Sequence, residues 1–143
     1  KVLDYKRSFN LLPCVRVGVG NYKSVLNIQE SKNSHFNGVC ILYKKLDIDL
    51  IDQREKGYDR ITLPSNSIET YENHHDLTNC KLYTYRGLKH MIDTSIMPNV
   101  EYLKLCLEGS KQWGDKFHLD FIETTHMNNK HTLHNFIKSG FTL

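Results

Sequence analysis

The sequence has 143 residues, a mass of 16.8 kDa and a formal net charge of +3. Hydrophobic residues make up 39% and charged residues 24%, which excludes a disordered chain and suits a single folded domain over 1–143. No apolar run reaches the roughly 18 residues of a membrane span. The 19 basic and 16 acidic residues are too dispersed for a nucleic-acid footprint, so neither a membrane nor a nucleic-acid partner is expected. Alanine is absent, which looks like compositional bias. The chain opens on Lys1 rather than Met, which suggests a piece of something longer.

Val2 to Phe9 alternates with the two-residue period of a strand. Gly18-Val19-Gly20-Asn21-Tyr22-Lys23 lacks both G-x-G-x-x-G and G-K-[ST], so it reads as a hairpin turn rather than a phosphate loop. Val25–Ile28 is a short strand. Asn37-Gly38 then turns into Val39-Cys40-Ile41-Leu42-Tyr43, the strongest strand signal in the chain. Leu46–Glu55 reads as a short helix, with Leu46, Leu50 and Ile51 on one face and Gly57 ending it.

Tyr58–Leu63 is a strand stopped by Pro64, Ser65–Asn79 a polar loop, and Lys81–Tyr85 a further strand. Past Pro98 the apolar period becomes helical, through Tyr102, Leu103, Cys106 and Leu107 and on to Trp113, Phe117, Phe121 and Ile122. Gly109 and Gly114 are expected to interrupt that run. Strands first and helices last predict an α+β domain, a small mixed β-sheet or barrel with flanking helices.

Cys14, Cys40, Cys80 and Cys106 form no C-x-x-C pair, and Cys40 and Cys106 sit in apolar runs as small hydrophobes. No Asn-x-Ser/Thr sequon occurs and no signal-peptide pattern falls within residues 1–143, although a start upstream of Lys1 would hide one; a reduced, cytoplasmic setting is expected. His74-His75 and the group His126, His131 and His134 match no zinc spacing and read as solvent-exposed. No G-x-S-x-G elbow is present, and Ser110 falls in a helix. Glu55 stands out, because a carboxylate in the last turn of a helix opposes the helix dipole at about 0.3–1 kcal/mol. It reads either as a general base or as a surface residue paired with Lys56 or Arg60.

Asn37-Gly38-Val39, the helix, and Asp52-Gln53-Arg54-Glu55-Lys56-Gly57-Tyr58-Asp59-Arg60 together resemble the central signature of the γ-glutamylcyclotransferase superfamily. Lys81-Leu82-Tyr83-Thr84-Tyr85 is similar to that family's strand before the substrate loop. Pro98 to Gly109 is similar to its P-x-x-x-Y helix, and Phe121 to Thr125 to its helix end. The resemblance covers residues 1 to about 125. It implies a γ-glutamylcyclotransferase-like fold, with Glu55 as the catalytic carboxylate and Tyr58, Tyr102 and Tyr85 lining the substrate pocket. It implies a small-molecule γ-glutamyl substrate, release of 5-oxoproline, and no metal or organic cofactor. It leaves the oligomeric state open. The family's Y-G-S-L glycine turn has no counterpart in 1–143 and is expected upstream of Lys1. Two other readings remain: a non-catalytic binding relative, and an enzyme acting on γ-glutamyl-ε-lysine.

Overall fold

The computed structural model describes residues 1–14, 18–43, 47–71, 77, 79–128 and 131–140. Its backbone is a mixed α+β arrangement. Strand β1 (Val2–Leu11) pairs antiparallel with the long strand β2 (Tyr22–Phe36), bringing Phe9 opposite Leu26 and Arg7 opposite Ile28. The ladder shifts register between Leu3 and Tyr5. There Asp4 (φ 61°) and Asn33 (φ 63°) adopt left-handed backbone, and the Asn33 N–H donates to Asp4 Oδ1 at 3.0 Å. Asn and Asp tolerate that conformation better than other side-chain-bearing residues, because a short polar side chain bonds locally.

Helix α1 (Ile48–Arg54) and strand β3 (Tyr58–Leu63) follow, and β3 pairs antiparallel with β4 (Leu82–Gly87). Strand β5 (Met97–Pro98) lies parallel to β2. Helices α2 (Val100–Lys111) and α3 (Asp115–Thr124) come next. Then come β6 (Thr125–Met127), β7 (His131–Thr132) and helix α4 (Leu133–Lys138). Among the described residues there are two sheets, a five-stranded one ordered β5-β2-β1-β6-β7 and the β3–β4 ribbon, and they do not close into one barrel.

The core lies where α2, α3 and α4 cover the sheet: Phe9, Leu103, Leu107, Phe121, Met127 and Leu133 are buried together. Helix α2 starts cleanly because Asn99 Oδ1 accepts the Tyr102 N–H at 2.9 Å. Gly109 does not interrupt α2, whereas Gly114 (φ 94°) separates α2 from α3. The β3–β4 ribbon docks on β2 at Gly87, whose N–H donates to Asn27 Oδ1 at 2.8 Å. A Cβ at Gly87 would stand 2.4 Å from Leu11 Cδ1, so the close approach requires glycine.

The apolar run Val39–Tyr43 forms no strand. Leu42 is 93% exposed and Ile41 66% exposed, and Cys40 is exposed with them. Strand β2 instead continues to Phe36 and takes up the pairing with β1. The chain then leaves the sheet at buried Asn37, whose side-chain N–H donates to the Phe117 carbonyl at 2.8 Å. Among the described residues no strand pairs with this run, so its strand propensity is not realised. The Leu46 end of the expected helix and His74-His75 lie outside the described residues. His131 is exposed, but His126 and His134 are half-buried, and their Nδ1 atoms take no hydrogen bond. No group of three potential metal ligands occurs among the described residues, and no described helix is long and apolar enough to cross a membrane.

Candidate functional site

The α1–β3 connection is a tight turn. The Tyr58 N–H donates to the Glu55 carbonyl at 3.1 Å, and Gly57 sits at φ 91° between them. A side chain at Gly57 would run into Cys14 Sγ at 2.8 Å. This turn sets Glu55 and Tyr58 side by side, three residues apart, at the edge of the ribbon. Residues Arg7, Leu26, Asn27, Ile28, Glu55, Tyr58, Thr84 and Tyr85 line an open cavity of about 250 Å3.

Three of the four site residues expected from the sequence therefore share one cavity. The Tyr58 hydroxyl donates to the Leu26 carbonyl at 2.7 Å, which ties β3 to β2. The Tyr85 hydroxyl donates to Asp52 Oδ1 at 2.7 Å, and Arg60 Nη1 pairs with Asp52 Oδ2 at 3.0 Å. Burial, the bond to Asp52 and the negative charges of Asp52 and Glu55 push Tyr85 up to about 12, with Arg60 opposing them. Tyr85 is thus a neutral donor near pH 7.

Asp52 takes both neighbouring cationic and hydroxyl partners, and neither Lys56 nor Arg60 pairs with Glu55 among the described residues. The Glu55 carboxylate is half-buried and faces the cavity without an ion pair. A carboxylate left this way keeps its lone pairs for an incoming proton donor.

Tyr102 stands apart. It lies on α2, packs edge-on against Phe9 with ring centroids 6.2 Å apart, and belongs to the helical core. It lines neither this cavity nor the one described next.

Sequence reasoning missed Arg7. Its side chain is 7% exposed, and the guanidinium donates to Thr125 Oγ1 (2.8 Å), the Asn37 carbonyl (2.5 Å), Asn37 Oδ1 (3.0 Å) and the Phe121 carbonyl (3.2 Å). The Phe121 ring covers it at 4.1 Å. Every acceptor is neutral, and Arg7 forms no ion pair among the described residues. Burial pushes the group down to about 9, so it remains a cation near neutral pH. The signal was the inward phase of Tyr5-Arg7-Phe9, which sets a charge on the apolar side of β1.

Beside this guanidinium a second cavity of about 250 Å3 opens on the helical side. Asn37 and Phe121, which hold Arg7, line it together with α2 and the α2–α3 junction.

No protein-family model, no curated protein and no solved structure matches this chain.

Proposed function

We propose that the chain cyclises a γ-glutamyl amide to 5-oxoproline and releases an amine, as the resemblance of its Asp52–Arg60 segment implies. The observation that supports this reading is the unpaired carboxylate of Glu55 on the wall shared with Tyr58 and Tyr85. The substrate's α-ammonium gives a proton to Glu55, and the freed amine attacks the γ-carbonyl. The ring C–N bond forms and the original amide C–N bond breaks as Glu55 passes that proton to the leaving nitrogen. Glu55 then takes the second proton from the ring nitrogen and hands it to the released amine, which leaves as its ammonium. Charge and atoms balance without water or a co-reactant.

The attack is intramolecular, so holding the chain folded supplies much of the rate. Well-oriented intramolecular reactions reach effective molarities of about 10⁵–10⁸ M. A cavity of about 250 Å3 is slightly below the usual range of roughly 300–1,000 Å3 for ligand sites. That size suits a γ-glutamyl head, with the leaving group projecting outward. Incubation with glutathione, γ-glutamyl-alanine and γ-glutamyl-ε-lysine should release 5-oxoproline from at least one of them. Preference for the lysine adduct would assign the γ-glutamylamine activity. Silence on all three would refute cyclisation.

A non-catalytic, ligand-binding role has one observation in its favour. The Tyr58 and Tyr85 hydroxyl protons are already committed to Leu26 and Asp52, so neither is free for a developing oxyanion. Saturable binding of γ-glutamyl-alanine without 5-oxoproline release would support that role. A cytoplasmic setting accords with four free cysteines.

A further inference from the structure

Glu55 does not line the second cavity, whereas Arg7 lines both. Arg7 is more than nine-tenths buried. Of its five N–H groups, four are spent on Thr125, Asn37 and Phe121, leaving one N–H on Nη1 without an acceptor among the described residues. That is a net positive charge in a cavity with no carboxylate on its lining.

The walls are largely apolar and aromatic, with the neutral polar side chains of Asn37, Ser110 and Gln112 among them: Phe121 covers the guanidinium, and the Phe117 and Trp113 rings lie with centroids 6.3 Å apart. A second observation concerns Gly109. It lies inside α2 and lines the cavity, yet a Cβ there would meet nothing within 4 Å. Packing therefore does not require a glycine in this helix, where glycine is among the least favourable residues. Without a side chain there, α2 adds no bulk to the cavity it lines.

We propose that this cavity is a binding site for a small organic anion, a carboxylate on an aromatic or branched apolar body. The carboxylate accepts the remaining Arg7 N–H and neutralises the buried cation, and the apolar body lies between Trp113, Phe117 and the bare helix at Gly109. An oxygen anion suits a guanidinium because its fork matches carboxylate geometry. A neutral ligand of the same shape gains only the apolar contact.

Trp113 is the sole tryptophan of the chain, so its fluorescence reports on this cavity directly. Titration of the full chain with phenylacetate should give a saturable change, and phenylacetamide should bind at least tenfold more weakly. Gly109→Leu, which adds bulk to the lining while leaving Arg7 in place, should abolish the phenylacetate signal and retain the far-UV circular dichroism of the parent. Equal affinity for the amide and the acid would overturn the proposal. So would unchanged phenylacetate binding in Gly109→Leu, or no saturable response in the parent. The comparison of acid with amide needs no variant, so a folding defect cannot mask the result. Release of 5-oxoproline plays no part in it.

Discussion

Glu55, on the first cavity, and Arg7, which lines both, are two charged groups held by different economies of partners. On the ribbon side, Asp52 takes up Arg60 and Tyr85 and leaves Glu55 unpaired and half exposed. On the helical side, Arg7 is buried and held only by neutral oxygens. An exposed carboxylate costs little to leave unpaired, whereas a buried cation costs several kcal/mol and must be wrapped in acceptors. The first arrangement leaves a carboxylate unpaired at little expense to the fold. The second makes the fold depend on the charged group itself.

The sharpest way to break that contrast is to remove the guanidinium. Arg7→Met leaves Asn37, Thr125 and the Phe121 carbonyl short of their donor, and should destabilise by about 3–5 kcal/mol in urea unfolding. A loss under about 1 kcal/mol would mean that Arg7 is not a structural centre. Next in size is Gly87→Ala, which sets a methyl against Leu11 and Asn27 where the ribbon docks. A cost of about 1–3 kcal/mol is expected by the same measurement. Asn99→Ala removes the cap of α2, a helix that does not line the Glu55 cavity, and should cost about 1 kcal/mol. It should therefore lower the melting temperature without altering any activity.

A smaller stability effect belongs to Asp52→Asn. Its ion pair with Arg60 is partly exposed, so the stability loss should stay within about 1 kcal/mol. The tyrosine titration should change more visibly. Tyr85 is raised to about 12, so its neutral form is favoured in the folded state. The stability this brings is complete below pH 10 and is lost as pH rises through about 12. In Asp52→Asn, phenolate absorbance should develop at lower pH than in the parent. An unchanged alkaline titration would show that the Tyr85–Asp52 bond does not form in solution.

How much of this was legible depended on whether a residue's local pattern agreed with its surroundings. Tyr58–Leu63, stopped by Pro64, is found as a strand because its punctuation is local. The Glu55-Lys56-Gly57-Tyr58 turn was readable for the same reason, since glycine at φ 91° is a local demand. Strand β2 was expected only over Val25–Ile28, because its polar stretch hides it. Asn27 and Gln29 do not look like strand residues until Asn10 is seen bonding both, at 3.1 and 2.8 Å. The reverse error fell on Val39–Tyr43, where strand propensity is high and no partner edge is present among the described residues. Tyr102 and Arg7 show the same limit for site residues. Helical spacing could not tell which side of the sheet α2 covers, and a single charge in a strand does not announce what it will face.

The proposed cyclisation depends on Glu55, and Glu55→Gln tests it most directly. The substitution keeps size and shape and removes the proton acceptor from a half-buried position without an ion pair, so unfolding free energy should stay within about 0.5 kcal/mol of the parent. With γ-glutamyl-alanine as substrate, chromatographic detection of 5-oxoproline should show release falling by at least about 100-fold, the low end for loss of a general base. Release at the parental rate from a folded Glu55→Gln chain would contradict the account.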